Sequence, residues 1–198
     1  MPPLRQSVRG RDVIAWNEQK PDFFHRPIID LVSQLPFIAA CAVLLNDGKS
    51  PKVVVNRRTM DSICSHVSER SVEMGGLLIG SVYTLADAVD KFVIAISDHA
   101  RSVEYDSTGV SLRMDTPVWD NARLKSKDGR SVIGWYHSHP NLGAFFSGTD
   151  RRTQRAFFNH QHCLGLVIDP IRSEEKWFIG QDSDELGTHQ ILLHQPSE

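Results

Sequence analysis

Two histidines two positions apart, His137 and His139, close the apolar run Val132 to His139. Strand side chains alternate between faces, so both imidazoles point to one side. Two imidazoles on one side are a ready pair of zinc ligands. Beyond the loop Asn141 to Gly148, Asp150 stands where a helix is expected to start, and it adds an anionic donor. Three protein donors leave a fourth tetrahedral position for water, as in a catalytic rather than a structural zinc site. Water on such a zinc has a pKa of about 7. Hydrolysis then needs a base. Glu73 stands at the entry to the glycine-rich apolar stretch Gly75 to Gly80, where an unpaired carboxylate is costly to bury, so it is expected to face a site. Ser147, three before Asp150, can donate to a developing oxyanion, a contact typically worth about 3 kcal/mol of barrier. Plainer roles exist for each: strand histidines, a surface glutamate, a helix cap at Asp150 or a capping hydroxyl at Ser147.

Several elements must position these groups. Phe37 to Leu45 and Val53 to Val55 read as strands, and Asn46-Asp47-Gly48 between them predicts a hairpin. Met60, Ile63, Cys64 and Val67 recur at helical spacing in a helix over 57–68, capped by Asn56. The small residues of 75–80 predict a strand that lets another backbone or a ligand come close. Phe92 to Ile96 is a further strand, 97–115 a polar surface loop, and Thr116-Pro117 the start of a second helix. A third helix is expected over 150–159, with strands at Leu164 to Ile168 and Lys176 to Ile179. Interleaved strands and helices indicate an α/β or α+β domain with a mixed sheet covered by helices. Residues 1–34 carry mixed charge and little periodicity and read as an N-terminal extension, packed on the domain or partly mobile; residues 35–198 form the domain proper.

The chain of 198 residues can bury a core of ordinary size. A net charge of -2 gives no support for general nucleic-acid or anionic-lipid affinity. The N-terminus lacks the apolar run of a signal peptide, and Leu35 to Leu45 is too short to span a membrane, so a cytoplasmic protein is expected and that run is assigned to a core strand. Cys41, Cys64 and Cys163 are odd in number without a Cys-x-x-Cys, which fits a reducing compartment and buried packing roles. His160, His162 and Cys163 make a second candidate metal cluster, but Cys163 is expected to face the core and the histidines to follow a helix end. Arg151, Arg152 and Arg155 read as a solvated helix face, with gripping of an acidic partner as the alternative.

Three segments together resemble the JAMM (MPN-plus) zinc metalloprotease signature: Glu73-Met-Gly-Gly-Leu-Leu-Ile-Gly80, His137-Ser-His139-Pro and Ser147-Gly-Thr-Asp150. The signature is a glutamate before a glycine-rich strand, then His-x-His, seven residues, Ser, two residues and Asp; positions 140–146 and 148–149 supply the spacers. Gly134-Trp135-Tyr136 and Val167-Ile168-Asp169-Pro170 are also similar to the family, and the resemblance covers about residues 52–180. It implies a cytidine-deaminase-like fold with a mixed central sheet flanked by helices. It implies one catalytic Zn2+ on His137, His139 and Asp150, with Glu73 as general base and Ser147 as oxyanion donor. It implies a deubiquitinase-like isopeptidase, with Glu73 taking the water's proton and passing it to the leaving lysine amine. The implied partners are the C-terminal glycine tail of ubiquitin or a ubiquitin-like protein, its conjugated target, and ubiquitin-like conjugation machinery. No cysteine follows Cys163 and only Ile171 to Glu175 separates Pro170 from the next strand, so the second, structural zinc of chain-selective relatives has no place. The chain looks more like the compact bacterial branch. Alternatives are a non-catalytic MPN scaffold and a sulfur-carrier-protein processing peptidase. The His-x-Glu with Pro-Cys-x-x-Cys of nucleobase deaminases is absent. The substrate tail is expected to lie extended beside an edge strand or the 97–115 loop, its glycines passing a crowded channel near Trp135.

Overall fold

The computed structural model describes residues 25–45, 52–85, 88–102 and 116–195. In chain order these form β1 (His25–Pro27), α1 (Ile28–Val32), α2 (Phe37–Leu44), β2 (Lys52–Asn56), α3 (Arg57–Val67), β3 (Gly75–Leu85) and β4 (Ala88–Arg101). They continue with α4 (Thr116–Lys125), β5 (Ser131–Ser138), α5 (Gly148–Phe157), β6 (Leu164–Asp169), β7 (Glu174–Ile179) and β8 (Asp184–Leu186). A 3₁₀ turn, Thr188–Gln190, leads to β9 (Ile191–His194). One mixed sheet runs β8-β7-β6-β5-β3-β4-β2-β9, with β1 added to β3. The β5–β6, β2–β4 and β2–β9 pairs are parallel, whereas β3 is antiparallel to both β4 and β5.

Alternation along the central strands feeds two faces. Leu78 and Tyr136 join Met60, Ile63 and Val67 of α3 in one core cluster. Leu77, Ile79 and Trp135 join Val118 and Ala122 of α4 and Phe158 after α5 in another. The third cluster sets Leu31, Leu35, Ala39 and Val43 against Val54, Tyr83 and Val93. The arrangement is the mixed α/β sheet flanked by helices expected from the sequence. The expected cap is present too: the Asn56 side chain accepts from the Arg58 backbone N–H at the start of α3.

Phe37 to Leu45 is a correction. It forms a helix, not a strand, and makes no hairpin with β2, which pairs in parallel with β4 and β9 instead; the turn residues 46–48 lie outside the described residues. A short apolar run does not separate strand from helix by periodicity. Here a spacing of four decides: Leu35, Ala39 and Val43 are buried as one helical stripe, while Phe37, Ile38 and Leu45 are more than four-fifths exposed. Residues 97–101, read as loop, extend β4, and 103–115 lie outside the described residues. Strand β1 and helix α1 come from within residues 25–34 and pack on β3 and α2.

The close backbone approach expected at the glycine strand is present. A Cβ on Gly80 would stand 1.9 Å from the Ala95 carbonyl oxygen and 2.7 Å from Ile133 Cδ1. Both neighbours belong to paired strands and cannot yield independently. Gly80→Ala is expected to destabilise the fold by about 1–3 kcal/mol, the usual cost of overpacking, read as a lowered urea midpoint. An unchanged midpoint would show that β3 and β4 can part at no cost.

Candidate metal centre

Strands β5 and β6 are parallel neighbours joined through α5, and the loop leaving β5 emerges at their carboxyl ends, where open α/β sheets place their ligands. His137 lies one residue before the end of β5 and His139 one residue after it; both are almost wholly buried. Asp150 is in the first turn of α5. The two Nε2 atoms are 3.2 Å apart. His137 Nε2 is 3.3 Å from Asp150 Oδ1, and His139 Nε2 is 3.7 Å from Asp150 Oδ2. Two donors each about 2.0–2.1 Å from a tetrahedral zinc lie about 3.3–3.4 Å apart. The histidine pair, and His137 with its nearer Asp150 oxygen, match that spacing; His137, His139 and Asp150 are the group of three potential ligands that converges among the described residues, one atom from each lying within 4.8 Å of the others.

Local structure explains the placement of Asp150. The cap of α5 is Ser147, not Asp150: Ser147 Oγ accepts from the Asp150 N–H at 3.2 Å, and Asp150 Oδ2 accepts from the Ser147 N–H at 2.6 Å. This reciprocal box orients the carboxylate towards the histidines. Burial would raise the Asp150 pKa, but hydrogen bonds from His137 and Ser147 hold it down to about 2. Burial, reinforced by the neighbouring His137, lowers the pKa of His139 and favours the neutral imidazole a metal needs. The Ser147 hydroxyl accepts in the cap and keeps its own proton to donate.

Glu73 precedes β3 and reaches the same spot. Its Oε1 is 3.8 Å from His139 Nε2, and its side chain is 24% exposed, the most open of the four. Burial raises its pKa; the nearby His137 opposes this and Asp150 adds to it. Ser138, between the histidines, ties this segment to β5. Its Oγ accepts from the Met74 N–H at 3.0 Å, and its own N–H donates to the Met74 carbonyl at 2.8 Å.

Trp135 corrects the expected channel. It is 2% exposed and stacks under His137, with ring centroids 4.5 Å apart and planes 7° apart. Its Nε1 donates to Gln154 Oε1 at 2.7 Å. Gln154, fully buried, in turn donates to the Phe158, Cys163 and Gly180 carbonyls. Gln154 and Ser138 escaped sequence reasoning; the available signal for Gln154 was its place one helical turn after Asp150. The exposed ring beside the two histidines is Phe145, 4.9 Å from the His139 ring.

Other singled-out residues lie elsewhere. His162 precedes β6, at the end of the sheet opposite His137; it stacks with His160 at 4.6 Å and meets His25 and Phe92 edge to face. Cys163 is buried, its thiol pushed up to about 11 by burial. Arg151 donates to the Asp182 and Ser183 carbonyls, and Arg155 lies 3.9 Å from Asp182. Among the described residues no helix is long and apolar enough to cross a membrane.

Residues 56–178 match the model of a family described as prokaryotic homologs of the JAB domain. The chain is 27% identical over 157 residues to the 26S proteasome regulatory subunit RPN11 of Eremothecium gossypii, covering 77% of this chain and 48% of that protein. It is 34% identical over 107 residues to the 26S proteasome non-ATPase regulatory subunit 14 of Drosophila melanogaster (52% and 32%). It is 32% identical over 106 residues to the COP9 signalosome complex subunit 5 of Eremothecium gossypii (52% and 24%). The matched region thus spans between a quarter and a half of these relatives. The solution structure of protein DSY2949 from Desulfitobacterium hafniense shares the fold, with a TM-score of 0.56 at 24% identity over 74% of this chain and 95% of that one.

Proposed function

The chain belongs to the prokaryotic homologs of the JAB domain, and on that premise we propose that it is a zinc-dependent isopeptidase or peptidase cutting after the C-terminal glycine of ubiquitin or a ubiquitin-like protein. Residues 35–198 form the proposed catalytic unit, with His137, His139 and Asp150 as metal ligands. The observation that carries a hydrolase over a scaffold is Glu73. Its carboxylate stands 3.8 Å from a ligand nitrogen, too far for a direct hydrogen bond and near enough to share a water with the metal position.

When bound, zinc at these ligands would lower the pKa of a water to about 7 and polarise the substrate carbonyl. Glu73 takes the proton from the attacking water, holds it on its carboxylate and delivers it to the departing amine. Its raised pKa suits a group that must carry that proton briefly. Ser147 donates to the oxygen on which charge develops, while the cap keeps its Oγ in place. Buried Trp135 supports His137 from below and keeps water off that side of the ligand.

A screen of C-terminally tagged ubiquitin and ubiquitin-like proteins, including those encoded with this chain, tests the reading. Tag release is expected from at least one, to stop on chelation and return on adding zinc. A protein that binds one zinc per chain yet releases no tag from any substrate would favour the non-catalytic scaffold. Release confined to a sulfur-carrier precursor would narrow the activity to processing.

A further inference from the structure

Asp169 ends β6, side by side with the end of β5 in the parallel register Ser138 with Ile168. Its side chain is fully buried. Its oxygens accept four backbone N–H groups: Oδ1 those of Asn141 at 3.0 Å, Ile171 at 2.9 Å and Arg172 at 3.1 Å, and Oδ2 that of Gly143 at 2.7 Å. A carboxylate has about four acceptor sites. Here all serve two surface turns, one at 140–143 after His139 and one at 170–173 after β6.

The first of these turns needs such a hold. It joins the ligand His139 to the capping box that carries the ligand Asp150. Asn141 sits at φ 62° and Gly143 at φ 89°, in the left-handed region that glycine enters freely and asparagine more readily than other side-chain-bearing residues. Its own contribution to the core is slight, because Asn141 and Leu142 are exposed. A buried ionised side chain is costly unless it is hydrogen-bonded, and here the N–H groups of the two turns offset that cost, which couples the charge to the position of the turns. Burial would raise the Asp169 pKa, but the N–H donors of Gly143, Asn141, Arg172 and Ile171 bring it down to about 2, so the anion persists. The second turn is cross-tied to the first by Arg172, whose guanidinium donates to the Asn141 carbonyl at 3.0 Å.

We propose that Asp169 is a positioning residue that locks the loop between His139 and Asp150, and thereby sets how tightly the centre holds its metal and how the loop meets substrate. This rests on the metal reading above, but its decisive part does not. In Asp169→Asn, one oxygen remains for Asn141, Ile171 and Arg172. The new amide group faces the Gly143 N–H, donor against donor. The Gly143 amide is therefore expected to lose its protection from hydrogen exchange in the metal-free protein, while Asn141 keeps much of its own. Zinc affinity, measured by competition with a chelator, is expected to weaken about 10-fold or more, as when other supports of metal ligands are removed. Arg172→Ala, which removes the tie to the Asn141 carbonyl and the 3.6 Å ion pair with Asp169 but keeps all four backbone hydrogen bonds to that carboxylate, is expected to change zinc affinity far less.

A lower melting temperature for Asp169→Asn with unchanged zinc affinity and unchanged Gly143 exchange would overturn the proposal. So would an equal loss in Arg172→Ala. If Asp169→Asn does not fold, exchange in the metal-free natural chain decides. Protected Asn141 and Gly143 amides support the lock, and free exchange at both overturns it. Failure to find any peptidase substrate would count against the function proposed above and leave this exchange result standing.

Discussion

Glu73→Gln is expected to keep one zinc per chain and the native melting curve while turnover falls about 100-fold or more, the usual contribution of positioned acid–base catalysis. The substitution preserves size and leaves His137, His139 and Asp150 untouched. Glu73 Oε1 lies 3.8 Å from His139 Nε2, too far for a direct hydrogen bond, so the proposed donor set survives its neutralisation. The amide can still hydrogen-bond a water but cannot accept its proton. Substrate binding should persist, and a modifier–target complex should accumulate on the mutant. Retained turnover would remove Glu73 from the role of base. An inert natural protein, with the mutant unchanged in every binding assay, would point to the scaffold.

His137→Ala should remove most of the metal and all activity while leaving the fold. His137 contributes a nitrogen 3.2 Å from that of His139 and 3.3 Å from Asp150, so its loss leaves two donors where a stable site needs three or more. The three core clusters do not include it, and the packing lost is chiefly its stack on Trp135. Metal that binds only the folded state stabilises it, so a chelator should lower the melting temperature of the natural chain and leave that of the mutant unchanged. Normal zinc content in the mutant by elemental analysis would refute the ligand assignment.

Much of the site was legible because its parts are local. Residues two apart on a strand share a face, so His137 and His139 announced a pair before any tertiary structure was known. Helix α3, with its cap at Asn56, and strands β3, β5, β6 and β7 carried period or composition strong enough to read. The run 35–45 did not. Its apolar residues fit a buried strand as well as a helix, and only packing against Val54, Tyr83 and Val93 selected the stripe Leu35, Ala39 and Val43. Strands β8 and β9 are three and four residues long and carry too little pattern to detect.

The amino-acid sequence by itself determined the donor types, their spacing and the family, because ligand chemistry resides in side chains and the spacers 140–146 and 148–149 are covalent facts. Only the tertiary structure decided what holds them. Glu73 reaches His139 because β3 pairs with β5 in the register Gly75 with His137. Ser147 rather than Asp150 became the cap, which turned Asp150 inward. Gln154 and Asp169 act on backbone carbonyls and amides brought from distant segments. Backbone groups are the same at every residue, so no sequence pattern marks which of them a side chain will meet.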